Sequence, residues 1–125
     1  MVDASAAVLG LLNDGDARKS LATEAVAAPH LADSEITNAL RSQVLRGVVE
    51  GRDARRAIDR WARLAIRRMA VNGLLPRVWE LRENLTAYDA TYVALAEVIG
   101  CRLLTADTRL ASAAGPLCTI TVVRR

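Results

Sequence analysis

Along the chain, short continuous apolar runs alternate with apolar residues set at helical spacing. Val2 to Ser5 predicts a short first strand leading into an apolar helix near Ala6 to Leu12. Asn13-Asp14-Gly15-Asp16 reads as a turn, followed by a helix over about Ala17 to Ala27 and a short extended piece, Pro29 to Ala32. The next helix is expected to start near Ser34. Its Ile36, Leu40 and Val44 recur at i, i+4 and i+8, one face of a 3.6-residue period. Gly47 and Gly51 bracket its end. Asp53 is placed to cap a further helix that turns Ala57, Ile58, Trp61 and Leu64 inward. Ile66 to Val71 fits either the tail of that helix or a short strand. Beyond Asn72-Gly73, Pro76 opens a short helix through Trp79 to Asn84.

Thr86-Ala87-Tyr88-Asp89 has the spacing of a capping box, with Asp in place of the usual Glu. The helix it starts runs to Ile99 and stops at Gly100, a favoured residue just past a helix end. An apolar run, Cys101 to Thr105, leads to a capped turn of helix at Asp107. Gly115-Pro116 then separates it from a last β run, Leu117 to Val123. Strands separated by helices of this length imply an α/β fold, with a parallel sheet covered on both faces. No repeat or linker interrupts residues 1–125, and 125 residues suit one domain.

Composition removes several alternatives. A chain that is 52% hydrophobic with a net charge of +3 is not a disordered one. Four aromatic residues, Trp61, Trp79, Tyr88 and Tyr92, are too few for a base-stacking platform. Cys101 and Cys118 lack the spacing of a zinc site or a disulfide scaffold. They read as small core residues in a reducing cytosol, or as a pair on neighbouring strands. Met1-Val2-Asp3 does not resemble a signal peptide, and the stretch Ala4 to Leu12 is too short to span a bilayer. A soluble, cytoplasmic protein without a membrane partner is expected.

The charge of +3 hides two opposed regions. Arg41 to Arg68 holds nine Arg against Glu50, Asp53 and Asp59, a net +6, so the remainder is net −3. A basic segment beside an acidic remainder is one footprint of a polyanion partner. A solvated Arg-rich helix face has the same composition.

In a parallel sheet, functional groups gather at the carboxyl ends of the strands. Four acidic residues fall at such places: Asp3 at the end of the first strand, Glu35 and Asp89 in the first turns of their helices, and Asp107 after Leu103-Leu104-Thr105. Each also has an ordinary reading. Asp3 fits a solvated terminus, Glu35 and Asp89 fit complements to helix dipoles, and Asp107 fits an N-cap. As a set they say more, because four carboxylates on one edge repel unless a divalent cation neutralises them. With no His or Cys nearby, such donors favour Mg²⁺ or Mn²⁺ over zinc. Such a cation lowers the pKa of an attacking water and holds a phosphodiester in line. Asn38, three residues after Glu35, and Ser5 and Thr105 are candidates to orient these ligands. Each of the three is equally readable as a cap or a core hydroxyl.

Other chemistries fit poorly. His30 is the sole histidine, no G-x-S-x-G is present, and no Gly-rich phosphate loop occurs. A phospho-receiver module shares the length and the acidic pocket. It needs a Lys near its last strand, and Leu117 to Arg125 contains none.

Four segments together resemble the PIN-domain family: Val2-Asp3-Ala4-Ser5; Pro29 to Glu35 with Asn38-Ala39-Leu40; Leu85 to Ala90 with Tyr92 to Ala96; and Leu104-Thr105-Ala106-Asp107. Within it they are most similar to the VapC-type toxins of bacterial VapBC toxin–antitoxin modules. The resemblance implies an α/β/α sandwich around a central parallel sheet, and a Mg²⁺- or Mn²⁺-dependent endoribonuclease. It maps the acidic quartet onto Asp3, Glu35, Asp89 and Asp107, with Asp3 and Asp89 as the main metal ligands. Glu35 and Asp107 complete the pocket, partly through waters. It also implies an RNA substrate, a VapB-type antitoxin partner and a homodimer. Family members ordinarily carry several apolar residues before the first aspartate. Only Met1 and Val2 precede Asp3 here, so either the first strand is short or the start lies upstream. The rival within the family is an inert PIN domain that only binds antitoxin or RNA.

Overall fold

Asp3 decides how the chain begins. Its backbone N–H bonds Leu104 O at 3.0 Å, while its side-chain Oδ1 accepts from Ala6 N at 2.9 Å. The first interaction is strand-like and the second is an N-cap. The expected strand over Val2–Ser5 therefore shrinks to one parallel bridge, Val2 to Leu104, and helix α1 starts at Ala4 and runs to Leu12. A computed structural model describes residues 1–124; Arg125, the last residue of the expected domain, lies outside the described residues.

After α1 come α2 (Asp16–Thr23), strand β1 (Ala27–Pro29), α3 (Leu31–Leu45), α4 (Gly51–Arg63) and strand β2 (Arg67–Met69). A 3₁₀ turn (Asn72–Leu74), α5 (Leu75–Glu80), α6 (Ala87–Ile99), β3 (Leu103–Thr105), α7 (Thr108–Ser112) and β4 (Ile120–Val122) complete the order. The strands form two parallel pairs. β1 lies on β2 with Ala27 opposite Arg67, and β3 lies on β4 with Leu103 opposite Ile120. The one central sheet expected from the sequence is thus, in hydrogen bonds, two pairs with Val2 added at Leu104. The ambiguous Ile66–Val71 segment resolves as strand, because Arg67 N reaches Val26 O at 2.9 Å.

Several boundaries differ from expectation for local reasons. α2 ends at Thr23, since Ala27 and Ala28 pair with β2. α3 begins at Leu31 rather than Ser34, with His30 already in the helical region of backbone space. Its first-turn acid is therefore Asp33, and Glu35 lies further in. α4 is flanked by Glu50, so Asp53 sits inside its first turn instead of capping it. Thr86 caps α6 as expected, its hydroxyl accepting from Asp89 N at 3.1 Å, and Gly100 ends that helix at φ 77°.

α6 is the axis of the core. Every residue from Ala90 to Ala96 is buried, as expected of a helix covered on more than one side. It packs on α5, β1 and β3, while α1 packs on α2, α3 and α4. Gly10 permits the tight α1–α2 approach. A Cβ there would stand 2.8 Å from Leu21 Cδ1 and 3.0 Å from the backbone of Ala17 and Arg18. Arginines seal the end of α1, where carbonyls lack helical partners. Arg18 donates to Gly10 O and Leu11 O at 2.9 and 3.0 Å, and Arg60 to Leu11 O at 3.1 Å. Cys101 and Cys118 are half-buried free thiols. Among the described residues no helix is long and apolar enough to cross a membrane.

Candidate active site

Asp3 is only 5% exposed, which disposes of a solvated terminus. Besides Ala6 N, its Oδ1 accepts from Ser5 Oγ at 2.6 Å. Ser5 Oγ also takes the Ala106 N–H at 2.9 Å and lies 3.3 Å from Thr105 Oγ1. The fully buried Thr105 in turn accepts from Asp107 N at 3.0 Å. The two hydroxyls named from the sequence thus join the start of α1 to the end of β3. Asn38, one turn after Glu35 on α3, is exposed.

Glu35 comes from α3 and is half-buried. The Tyr92 hydroxyl, on α6, donates to its Oε1 at 2.6 Å. A first-turn complement to the helix dipole is not its place, since Asp33 fills that position. Asp33 instead accepts from Trp61 Nε1 at 2.7 Å and from Arg68 Nε at 2.8 Å, tying α3 to α4 and β2. Asp89 sits in the first turn of α6, partly buried.

The electrostatics divide the quartet. Burial raises the carboxyl pKa of Asp3, against the lowering pull of its hydrogen bonds, and Asp107 adds a smaller repulsion. Burial likewise raises Glu35, with Asp89 and Asp3 adding repulsion against the Tyr92 hydrogen bond. Asp89 is raised by burial, then by Asp3 and Asp107. Asp107 behaves differently. Arg109 holds its pKa down through a side-chain pair and a backbone N–H at 2.9 Å, so Asp107 is the N-cap of α7. Among the described residues no ion pair reaches Asp3, Glu35 or Asp89. Arg109 exerts only a minor lowering pull on Asp89, and three mutually repelling carboxylates with no ion-pair partner suit a hard divalent cation, whose preferred ligands are oxygens. As placed, no three His, Cys, Asp or Glu side chains among the described residues close around one point as a metal cage would.

Residue type and local spacing do not mark Tyr92 as a site residue in the way they mark the four acids. The available signal was its place three residues after Asp89, on the same face of the helix.

A groove of about 640 Å³ runs between α1 and α4, lined by Glu50 and Asp53 but by none of the four carboxylates. Ser5 and Ala106 line it near Asp3, and Arg18, Arg56 and Arg60 line it beyond α1. Arg52, Arg56, Arg60 and Arg63 recur along α4 at i, i+4, i+8 and i+11, all exposed.

The PIN-domain family model matches residues 1–116. Among solved structures, PAE2754 from Pyrobaculum aerophilum superposes with a TM-score of 0.70 at 29% identity, covering 95% of this chain and 80% of that one. A VapC ribonuclease from Mycobacterium bovis is 53% identical over all of this chain and 98% of its own length. Ribonuclease VapC1 from Mycobacterium tuberculosis is 41% identical over 99% of this chain and 97% of its own. This chain belongs to the PIN-domain family and, within it, to the VapC ribonucleases. The phospho-receiver reading falls with that match.

Proposed function

We propose that this chain is the toxin of a VapBC-type toxin–antitoxin system, a cytoplasmic endoribonuclease that requires Mg²⁺ or Mn²⁺. The observation that carries the reading is the mutual repulsion of Asp3, Glu35 and Asp89, brought from the start of α1, from α3 and from α6, with no ion pair to any of them among the described residues and only a minor lowering pull of Arg109 on Asp89. Asp3 and Asp89 would hold the cation, with Glu35 and Asp107 completing the pocket. A preformed cage is not required, since Mg²⁺ keeps several waters and needs only one or two carboxylates. Bound there, the cation would make a nearby water more acidic and neutralise phosphate charge.

The protein's own groups do the rest. Ser5 and Thr105 fix Asp3 and the backbone before Asp107. Glu35 or Asp89 would accept a proton from the attacking water as its oxygen bonds to phosphorus and the leaving P–O bond breaks, with solvent protonating the leaving oxygen. RNA approaches along the groove, its phosphates met by the α4 arginine row. A VapB-type antitoxin and a second copy of the chain are the proposed partners. The inert, binding-only alternative is not favoured by relatives that are named ribonucleases.

Labelled RNA incubated with the purified chain is expected to be cut when Mg²⁺ or Mn²⁺ is present, and spared by EDTA until metal is restored. Cutting that EDTA leaves untouched would refute the metal-dependent reading.

The arginine row makes a separate prediction. Changing Arg52, Arg56 and Arg63 to Gln removes three exposed cations that form no ion pair among the described residues. Each single-strand phosphate contact contributes about 0.7 to the slope of log K against log salt. The triple variant should therefore bind RNA more weakly, with a slope flatter by about 2. An unchanged slope returns the row to a merely solvated helix face.

A further inference from the structure

Tyr92 and Glu35 are 57 residues apart in sequence, yet their side chains meet at 2.6 Å. The Tyr92 ring is 1% exposed, seated in the α6 core, and its hydroxyl has no other partner among the described residues. The carboxylate it bonds is half-buried and has no second protein donor there. Glu carries three side-chain torsions, and ordering such a side chain costs conformational entropy. A single short, charge-assisted hydrogen bond from an immobile ring is therefore what holds this carboxylate in one place.

We propose that Tyr92 is a positioning residue for the cation pocket: its hydroxyl holds Glu35 on the side where Asp3 and Asp89 converge. The inference rests on the metal-dependent reading above and adds a residue to it. α6 then has two duties. It presents Asp89 directly, and three residues on it presents the donor that fixes the carboxylate arriving from α3. The phenol is a dependable donor, because tyrosine ordinarily titrates only near about 10.

Packing alone makes a different forecast. If the hydroxyl merely finds the nearest acceptor, Phe at position 92 keeps the ring in place and leaves cation binding alone. Positioning partners of metal ligands ordinarily matter by 10- to 100-fold in metal affinity.

The experiment measures Mn²⁺ binding by electron paramagnetic resonance, without RNA, in the wild type, Tyr92→Phe, Glu35→Gln and the double variant. Thermal melts without metal check that each is folded. Tyr92→Phe is expected to weaken Mn²⁺ binding by about 10-fold or more. In the Glu35→Gln background the same change should have no further effect, because its target is gone. Unchanged Mn²⁺ affinity in Tyr92→Phe overturns the proposal, and so does an equal loss in both backgrounds. If Tyr92→Phe does not fold, Glu35→Gln alone decides: Mn²⁺ affinity equal to wild type removes any role for a residue acting through Glu35. Wild type that binds no Mn²⁺ overturns the metal-dependent reading itself, and this inference with it.

Discussion

Asp89→Asn is expected to cut RNA at least about 100-fold more slowly than the wild type, a loss at the upper end for outer-sphere partners of a metal ligand, while the metal-free protein melts a few degrees higher. The two effects have one cause. Asp89 is raised by burial and by repulsion from Asp3 and Asp107, with only partial relief from Thr86 and Arg109. A carboxyl whose folded pKa lies above its unfolded value destabilises the fold when ionised. That cost is present above the folded pKa and vanishes below the unfolded one. Asn keeps the shape and removes the charge. The gain in melting temperature should therefore appear near neutral pH and shrink towards zero below about pH 3, where Asp is protonated in both states. Asp3 and Glu35 are raised as well, so acidification should weaken Mn²⁺ binding before ordinary carboxylates titrate, because protons compete with the cation for these oxygens. Differential scanning calorimetry at two pH values, beside a cleavage assay, checks the claim. Full activity in the variant, or a lower melting temperature at neutral pH, contradicts it.

Trp61→Ala is expected to cost about 3–5 kcal/mol of folding stability, a large share of the 5–15 kcal/mol typical of a domain. Trp61 is 4% exposed on the inner side of α4. Its ring lies 5.7 Å from the Arg68 guanidinium and its N–H donates to Asp33. The ion pair left behind, Arg68 with Asp33, is partly exposed at both ends and is worth little alone. Losing the ring also loosens the start of α3, two residues before Glu35. Trp61→Phe, which keeps most of the packing, should cost clearly less. Urea unfolding measures both, and a loss under about 1 kcal/mol for Ala would show that the ring is not a core anchor.

The parts of this architecture legible in advance were those decided by neighbours in sequence. The Thr86 cap, the Gly100 stop and the Asp107 cap each depend on residues within one turn, and each was readable from spacing. Strand pairing depends on partners far along the chain. Two alanines and a proline do not announce β1, and Val2–Ser5 was too short to separate a strand from a capped helix. The α3 start was misplaced because Ser34 is the better cap by type, whereas the helix is entered from His30 without a side-chain cap. Chemistry followed the same division. Carboxylates at strand ends stood out by residue type, but the Tyr92–Glu35 contact is purely tertiary.

The central claim is that Asp3, Glu35, Asp89 and Asp107 form one divalent-cation pocket. The most direct measurement is anomalous diffraction at the manganese edge from crystals grown with Mn²⁺. The account predicts an anomalous peak among these four side chains, bonded to carboxylate oxygens of Asp3 and Asp89. A Mn²⁺ ion found only elsewhere on the protein, with these carboxylates left unligated, would contradict it.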